Sequence, residues 1–233
     1  MTHPLVEDLQ ILGNPAKASH ALKFFKTGKG QYGEGDLFIG VTVPEVRKVA
    51  EKYRNLTMED LDVLIADPIH EVRLCVLIIL TNRMKKGNEQ VRETIYEFYL
   101  KNTKYINNWD LVDTSARDIV GGYLFDKDIE KLIELAHSKD LWEQRIAIIA
   151  TYYHIKKGHV QLTFDIADLL LFHNHDLIHK AVGWMLREAG KLDEGVLDDY
   201  LKTRYSKMPR TALRYAIEKM DEPKRKSYLI GQI

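Results

Sequence analysis

Hydrophobic positions recur along most of the chain with the spacing of a helix face. Apolar residues stand three and four positions apart, and no clear run alternates apolar and polar residues as a half-buried strand does. Helix-capping residues stand at the starts of these segments: Asn14 precedes Pro15, and Thr57 precedes Asp60 at the spacing of a capping box. The pattern predicts helices over residues 4–12, 15–26, 43–54, 58–66, 69–86, 88–104, 108–122, 128–138, 140–157, 160–172, 176–190, 194–205 and 209–220.

The helical segments repeat with a period of about 36 residues. The stretch EVRLCV at 71–76 recurs as EQRIAI at 143–148, and Lys-Lys-Gly follows each copy. Pairs of helices with this period stack on their neighbours and bury their apolar faces between them. The sequence therefore predicts an all-α, right-handed helical-repeat solenoid of the HEAT-like or ARM-like kind, with one domain over residues 1–233.

Two neighbouring registers of the repeat carry tryptophans, cations and a carboxylate. The first register contains Arg73, Trp109, Arg145 and Lys180. The second lies four residues later, one helical turn on, and contains Asp113 and Trp184. Equivalent positions of stacked repeats line the same wall. We therefore expect these six side chains to form one strip.

This strip has residue types suited to chemistry on DNA. Cations fixed in a row can follow a phosphate backbone, and an indole face attracts a cation or stacks on a base. A carboxylate fits such a strip if it meets a positive charge that develops in the reaction, such as the oxocarbenium-like sugar left by a departing base. A core tryptophan beside a solvated acid on one helix is the alternative interpretation.

Composition leaves the function open. Lys plus Arg and Asp plus Glu number 34 each, so any phosphate-binding surface depends on charge being separated between faces. The single cysteine, Cys75, lies in an apolar run, which is typical of a buried thiol in a reducing compartment. The chain begins without the pattern of a secretion signal, and its apolar runs are too short to span a bilayer. We expect a cytoplasmic protein.

Three segments carry a resemblance to a known family. NWDLVD at 108–113, WEQRIAI at 142–148 and KAVGWMLRE at 180–188 resemble the catalytic-face motifs of the AlkD family of DNA alkylation-repair glycosylases. FIGV at 38–41 and PEVR at 44–47 resemble its amino-terminal motif. The resemblance covers nearly the whole chain. It implies a monofunctional DNA N-glycosylase that excises N3- and N7-alkylated purines in base-excision repair, with neither a metal nor a nucleotide cofactor.

The resemblance also assigns roles to single residues. Asp113 matches the family's catalytic carboxylate, which would stabilise the sugar cation. Trp109 and Trp184 match its aromatic pair, and Arg145 matches the arginine that holds DNA opposite them. Phe24 stands where the family has a tyrosine, so the hydroxyl group of that contact is missing.

A glycine-rich segment at 27–36 is interpreted as a loop that reaches DNA near the lesion. It contains G-x-G-x-x-G but follows a helix instead of a strand, which argues against a dinucleotide site. A connector without a role is the alternative. Tyr32 in this loop is a second candidate for the missing tyrosine ring. The expected DNA-binding residues are Arg145, Phe24, Tyr32, Lys29, Arg47, Arg73, Lys180 and Arg187.

Some features are given no place in the site. Asp110 is assigned no role, Trp142 is interpreted as a core residue, 173–175 as a turn between helices, and 224–226 as a solvated run of charge.

Two other functions are compatible with the sequence. A HEAT-like protein could bind distorted DNA without excising a base, as the departure at Phe24 suggests, and helical repeats commonly act as protein-interaction scaffolds. The favoured function implies a partner, double-stranded DNA that contains alkylated purines, and neither a membrane nor a nucleotide cofactor. The expected state is a monomer.

Overall fold

The computed structural model describes residues 2–233, and its regular structure is helical. Within these residues there is no β-strand, and one isolated parallel bridge joins Leu37 to Ile69. The prediction of an all-α, helical-repeat chain is confirmed. The helices are α1 (Pro4–Ile11), α2 (Pro15–Phe24), α3 (Val43–Lys52), α4 (Met58–Leu64), α5 (His70–Lys86), α6 (Glu89–Lys101), α7 (Trp109–Ala116), α8 (Gly122–Leu124), α9 (Glu130–His137), α10 (Leu141–Lys156), α11 (Gln161–Leu170), α12 (Asp176–Gly190), α13 (Glu194–Lys202), α14 (Arg210–Ala216) and α15 (Glu222–Ile230).

The chain divides into two compact units, residues 1–115 and residues 116–233. A 3₁₀ turn at Thr103–Tyr105 precedes α7 in the first unit, and a π-helical turn at Arg117–Gly121 opens the second. The interpretation of residues 1–233 as one domain stays a prediction. No helix within residues 2–233 is both long enough and apolar enough to cross a membrane.

In the first unit α5 is the central helix. Its residues from Val72 to Leu80 are at most 5% exposed on every face, and α1, α3, α4 and α6 pack around it. A helix that is apolar all round must be buried on all sides. Cys75 lies in this helix, and burial raises the pKa of its thiol to about 12. The interpretation of Cys75 as a buried, inert thiol therefore agrees with the structure.

In the second unit α10 has the same central position. Its middle, from Arg145 to Ala150, is buried, and α9, α11, α12 and the π-helical turn pack against it. The repeated segments 71–76 and 143–148 therefore lie in equivalent places, one in the central helix of each unit.

Local caps fix the helix starts as the sequence predicts. The Asn14 side chain accepts a hydrogen bond from Lys17 N at 3.0 Å, and Thr57 and Asp60 form the capping box that opens α4. Several helix ends differ from the prediction by a few residues; the second helix, for example, ends at Phe24. The helix predicted over 108–122 contains the π-helical turn, and α15 was not predicted. The basic run 224–226 therefore lies in a helix.

Candidate active site

Trp109 is the first residue of α7 and lies in a cluster of aromatic rings. Its indole is nearly parallel to the ring of Phe25, with 5.2 Å between centroids and 21° between planes. Phe25 in turn stacks on Phe38 at 4.9 Å and 12°. Phe24 meets Trp109 edge to face at 5.7 Å and is itself 54% exposed. Since such contacts restrict ring orientation, the indole of Trp109 is held in a defined plane.

The first turn of α7 is fixed by side chains next to Trp109. Asn108 is fully buried; its side chain accepts from Trp109 N at 2.9 Å, and its carbonyl oxygen accepts from Val112 N at 3.2 Å. Oδ1 of Asp110 accepts from Leu111 N, also at 2.9 Å. The two side-chain bonds satisfy backbone N–H groups that a helix start leaves without partners, and the bond from Val112 N is the first hydrogen bond of the helix itself.

Asp113 follows Trp109 by one turn on the same face of α7 and is half-buried. Near it, the fully buried Tyr99 shares a hydrogen bond of 2.9 Å with the Ser115 hydroxyl. Burial raises the pKa of Tyr99 most, and the negative charge of Asp113 raises it further. A neutral phenol therefore lies near the Asp113 carboxylate.

Beside the aromatic cluster lies a buried network of charges. His70 Nδ1 is 3.0 Å from Asp36 Oδ2, and His70 Nε2 is 2.8 Å from Asp110 Oδ2. Arg73 Nη2 donates to the other oxygen of Asp36 at 2.6 Å. Although burial raises the pKa of Asp36, its bonds with His70 and the charge of Arg73 lower it overall.

The glycine-rich loop 27–36 folds back onto the end of α2. Gly33 N donates to the carbonyl oxygen of Lys26 at 3.0 Å. A Cβ at Gly33 would lie 2.3 Å from the carbonyl oxygen of Phe25, so only glycine permits this close approach. Lys29 is exposed and Tyr32 is half-buried.

In the second unit, Trp184 lies on α12 and is half-buried. Its ring is 6.0 Å from that of Tyr152 at an angle of 56°, and the guanidinium of Arg117 lies 5.7 Å from the Tyr152 ring. Gly183, the preceding residue, allows α12 to approach α14. A Cβ there would lie 2.4 Å from the carbonyl oxygen of Ala212.

Arg145 projects from α10 to the start of α12. It is 4% exposed, and its Nη1 donates to the carbonyl oxygen of Leu177 at 2.5 Å. The N-cap of α12 is His175, whose Nδ1 accepts from Leu177 N at 3.1 Å. The predicted turn at 173–175 is therefore the capping segment of α12, and Arg145 braces that segment.

The predicted DNA-binding cations of α12, Lys180 and Arg187, form ion pairs with carboxylates. Lys180 forms an ion pair with Asp176 at 2.7 Å, and its side chain is 41% exposed. Arg187 is only 17% exposed and pairs with Glu188 at 3.3 Å and with Glu218.

Comparison with known proteins assigns the family. The sequence model of the DNA alkylation repair enzyme family matches residues 5–220. The chain belongs to this family. The solved structure of a "Predicted DNA alkylation repair enzyme from Enterococcus faecalis" superposes with a TM-score of 0.68 at 16% identity, covering 90% of this chain and 97% of that chain. At that identity the likeness shows the fold alone. The comparison with curated proteins found no match.

Membership of the DNA alkylation repair enzyme family supports enzymatic action on damaged DNA and a role in alkylation repair. Among the residues predicted for the site, the structure brings Phe24 into contact with Trp109 and places Asp113 one turn from that indole. Trp184 lies in the second unit, beside Tyr152. The roles of all four residues in this alkylation repair enzyme stay predictions.

Two predicted DNA contacts, Arg73 and Arg145, need correction because both are buried. Arg73 was expected to face phosphates, but it is 5% exposed and its guanidinium is bound to Asp36. The register argument fails because α5 is buried on every face, so a shared register does not imply a shared solvent-facing wall. Arg145 occupies the equivalent place in α10 and is likewise buried, whereas Arg47 and Lys29 are exposed.

Several residues near the site of this family member were missed from sequence. Asp110, which was given no role, is bound to His70, and Phe25 rather than Phe24 makes the parallel stack with Trp109. A local signal for His70 existed, since it lies three residues before Arg73 and so near it on α5. Trp142, 7% exposed, is a core residue as predicted.

Proposed function

We propose that this chain is a DNA glycosylase that excises N3- and N7-alkylated purines, such as 3-methyladenine and 7-methylguanine. The observation that carries the proposal is the pairing of Trp109 and Asp113 on α7. An indole held in plane by Phe25 lies one turn from a half-buried carboxylate in a chain of the DNA alkylation repair enzyme family. An aromatic face and a fixed negative charge both favour a cation.

The proposed reaction breaks the bond between C1′ of the sugar and N9 of the purine. Both electrons of that bond pass to the purine, which carries a positive charge before cleavage and leaves as a neutral base. No proton donor is therefore needed for its departure. The sugar becomes an oxocarbenium-like cation, which a water molecule attacks at C1′, and a proton is then released.

In this proposal Asp113 stabilises the cationic sugar electrostatically and orients the attacking water. Trp109 contacts the sugar or the cationic base, and Phe24 adds an exposed ring beside it. Trp184 of the second unit is proposed as the second aromatic contact from the family resemblance alone. Lys180, Arg187, Lys29, Arg47 and Tyr32 are the proposed DNA contacts, whereas Arg145 is 4% exposed and bound to the carbonyl oxygen of Leu177, so it is left out of the phosphate contacts, as Arg73 is. The exposed cations Lys29 and Arg47 are suited to phosphate, because they can release counterions on binding.

Release of free base from DNA that contains 7-methylguanine tests the proposal. Asp113→Asn keeps the shape of the side chain and removes its charge. We expect it to slow base release by roughly 10²- to 10³-fold, as loss of one stabilising group in an active site does, and to change the Kd for DNA only slightly. Asp62→Asn is the matched control, since Asp62 is an exposed carboxylate of α4 that pairs with Lys101.

Equal base release by wild type and Asp113→Asn would refute the role of Asp113. Salt-sensitive binding to damaged duplex with no release by wild type would instead favour a protein that binds distorted DNA. Absence of any affinity for duplex DNA would favour the scaffold interpretation.

A further inference from the structure

We propose that His70 is a positioning residue, which bridges Asp36 and Asp110 and thereby fixes the first turn of α7 and the indole of Trp109. The proposal rests on the proposed function only in taking Trp109 as a substrate contact. Its structural part, the link between His70 and Trp109, is independent of what the protein does to DNA.

Both ring nitrogens of His70 face carboxylates. Nδ1 lies 3.0 Å from Asp36 and Nε2 lies 2.8 Å from Asp110, and the His70 residue is 1% exposed. A carboxylate accepts hydrogen bonds, so a ring that satisfies both must carry a proton on each nitrogen and be an imidazolium. A bridge of this kind is charge-assisted at both ends and holds three groups in one geometry.

The surroundings favour that protonated state. Burial lowers the pKa of His70, but the hydrogen bonds with Asp110 and Asp36 outweigh burial and raise it above its ordinary value. Two cations, His70 and Arg73, face two carboxylates, Asp36 and Asp110, so the four charges balance. A buried network with balanced charges avoids the large cost of an unpaired buried ion.

His70 reaches Trp109 by two routes. The first is along the chain, because Asp110 follows Trp109 directly and uses its second oxygen to cap Leu111 N. The second is through packing. The His70 ring stacks on Phe38 at 4.4 Å and lies 5.2 Å from Phe25, which stacks on Trp109. Loss of the bridge would therefore loosen both the first turn of α7 and the stack beneath the indole.

The location of His70 next to a cleft distinguishes it from a residue with a packing role only. Asp110 is 16% exposed at its side chain, and the cleft of about 170 Å³ beside it is lined by Phe25, Phe38, His70 and Asp110 together. The buried bridge is thus in direct contact with the aromatic cluster, and its Asp110 end reaches the cleft.

The test is NMR spectroscopy of the full chain. The indole N–H resonance of Trp109 is assigned from Trp109→Phe, and the His70 ring is followed by its ¹⁵N signals. In wild type at neutral pH we expect both His70 nitrogens to be protonated, and the Trp109 resonance to shift when His70 loses its proton. In Asp110→Asn we expect the His70 pKa to fall and the Trp109 resonance to shift, while the resonances of Trp142 and Trp184 stay in place.

Base release gives the second measurement. Since small errors in positioning are costly in an active site, we expect Asp110→Asn and His70→Gln to lower kcat by roughly tenfold or more, with the Kd for DNA nearly unchanged. Asp62→Asn is again the control that should change neither measurement.

The proposal is overturned if His70 titrates in wild type without any shift of the Trp109 resonance. It is also overturned if folded Asp110→Asn keeps both the wild-type Trp109 resonance and the wild-type kcat. The wild-type titration decides the matter even if the variants do not fold. If wild type releases no base, the proposed function fails, yet the titration still tests the bridge between His70 and Trp109.

Discussion

The rings of Phe25 and Trp109 lie 5.2 Å apart and 21° from parallel, although 84 positions separate the two residues in the sequence. Phe25 caps the end of α2 and Trp109 opens α7. The stack therefore joins the end of one helix to the start of another and sets the plane of the indole proposed to meet the substrate.

Phe25→Leu should lower both stability and activity. Leucine keeps most of the apolar contact but removes the ring, so we expect a loss of about 1 kcal/mol in the free energy of unfolding. Base release should fall as well, because the indole of Trp109 loses its parallel partner. Denaturant unfolding and a base-release assay provide the two measurements.

Phe164→Leu is the matched control for this stack. Phe164 stacks on Tyr200 in the second unit at 4.7 Å and 19°, and neither residue is proposed for the site. A similar loss of stability with unchanged base release is expected there. Equal losses of activity in both variants would show that stability alone explains the effect of Phe25→Leu.

Substitution of Arg73 should lower stability much more than substitution of Arg47. Arg73→Met leaves Asp36 without its bound guanidinium in the core, so we expect the protein to lose about 3 to 5 kcal/mol of stability, as when one partner of a buried ion pair is removed. Arg47 is exposed, so Arg47→Met should change stability by less than about 0.5 kcal/mol.

DNA binding should be weakened more by Arg47→Met than by Arg73→Met, which is the reverse of their expected effects on stability. If Arg47 contacts phosphate, its loss weakens binding uniformly across sequences and reduces the slope of log K against log salt by about one. Folded Arg73→Met should keep the wild-type slope. A reduced slope for Arg73→Met would restore that residue to the set of phosphate contacts.

The histidines before α12 should make stability depend on pH. Nδ1 of His173 accepts from His175 N at 2.9 Å, and Nδ1 of His175 accepts from Leu177 N, so protonation of either nitrogen removes an acceptor. Burial lowers the pKa of both residues most, and neighbouring histidines lower it further. For His175 the charge of Asp176 raises the pKa and that of Arg145 lowers it, and the pKa is lowered overall.

The sign of the effect follows from proton binding. Near pH 6 the unfolded chain, with histidine pKa values of about 6.5, binds more protons at these sites than the folded chain does. Their contribution to stability is therefore present above about pH 6.5 and is lost as pH falls toward the lowered folded-state values. His70 acts in the opposite direction, because its pKa is raised.

His175→Asn isolates this contribution. Asparagine is a favoured N-cap residue and does not titrate, so the cap of α12 remains and its pH dependence is removed. We expect the Tm at pH 7.5 to stay near that of wild type and the fall in Tm between pH 7.5 and pH 5.5 to be smaller. Parallel Tm curves for the two proteins would contradict the assignment.

Local patterns predicted most of the helices, and long-range contacts explain what they missed. The caps at Asn14 and Thr57 act within four residues, so the sequence displays them directly. The bonds of His70 join residues 34 and 40 positions away, and no local pattern indicates them. Which residue stacks on Trp109 is likewise decided by how the chain turns after α2.

The helix α15 was missed although its sequence contains local signals for a helix. Its start has clear local signals, since Asp221 caps Lys224 N at 2.9 Å and Pro223 lies in the first turn. The basic residues that follow led to the interpretation of a solvated charge run. In the structure Lys224 forms ion pairs with Glu194 and Asp198 of α13, so one of the basic residues links α15 to α13.

The number of hydrogen bonds that Asp36 accepts constrains how this network can evolve. Its two oxygens accept from His70, Arg73, Asn107 and Asn108 at 2.6 to 3.4 Å. A single replacement at Asp36 leaves several donors without their acceptor at once, whereas replacing one donor leaves the buried carboxylate with fewer hydrogen bonds. Lineages that abandon this arrangement should therefore exchange its members together, and intermediates with half the set should be short-lived.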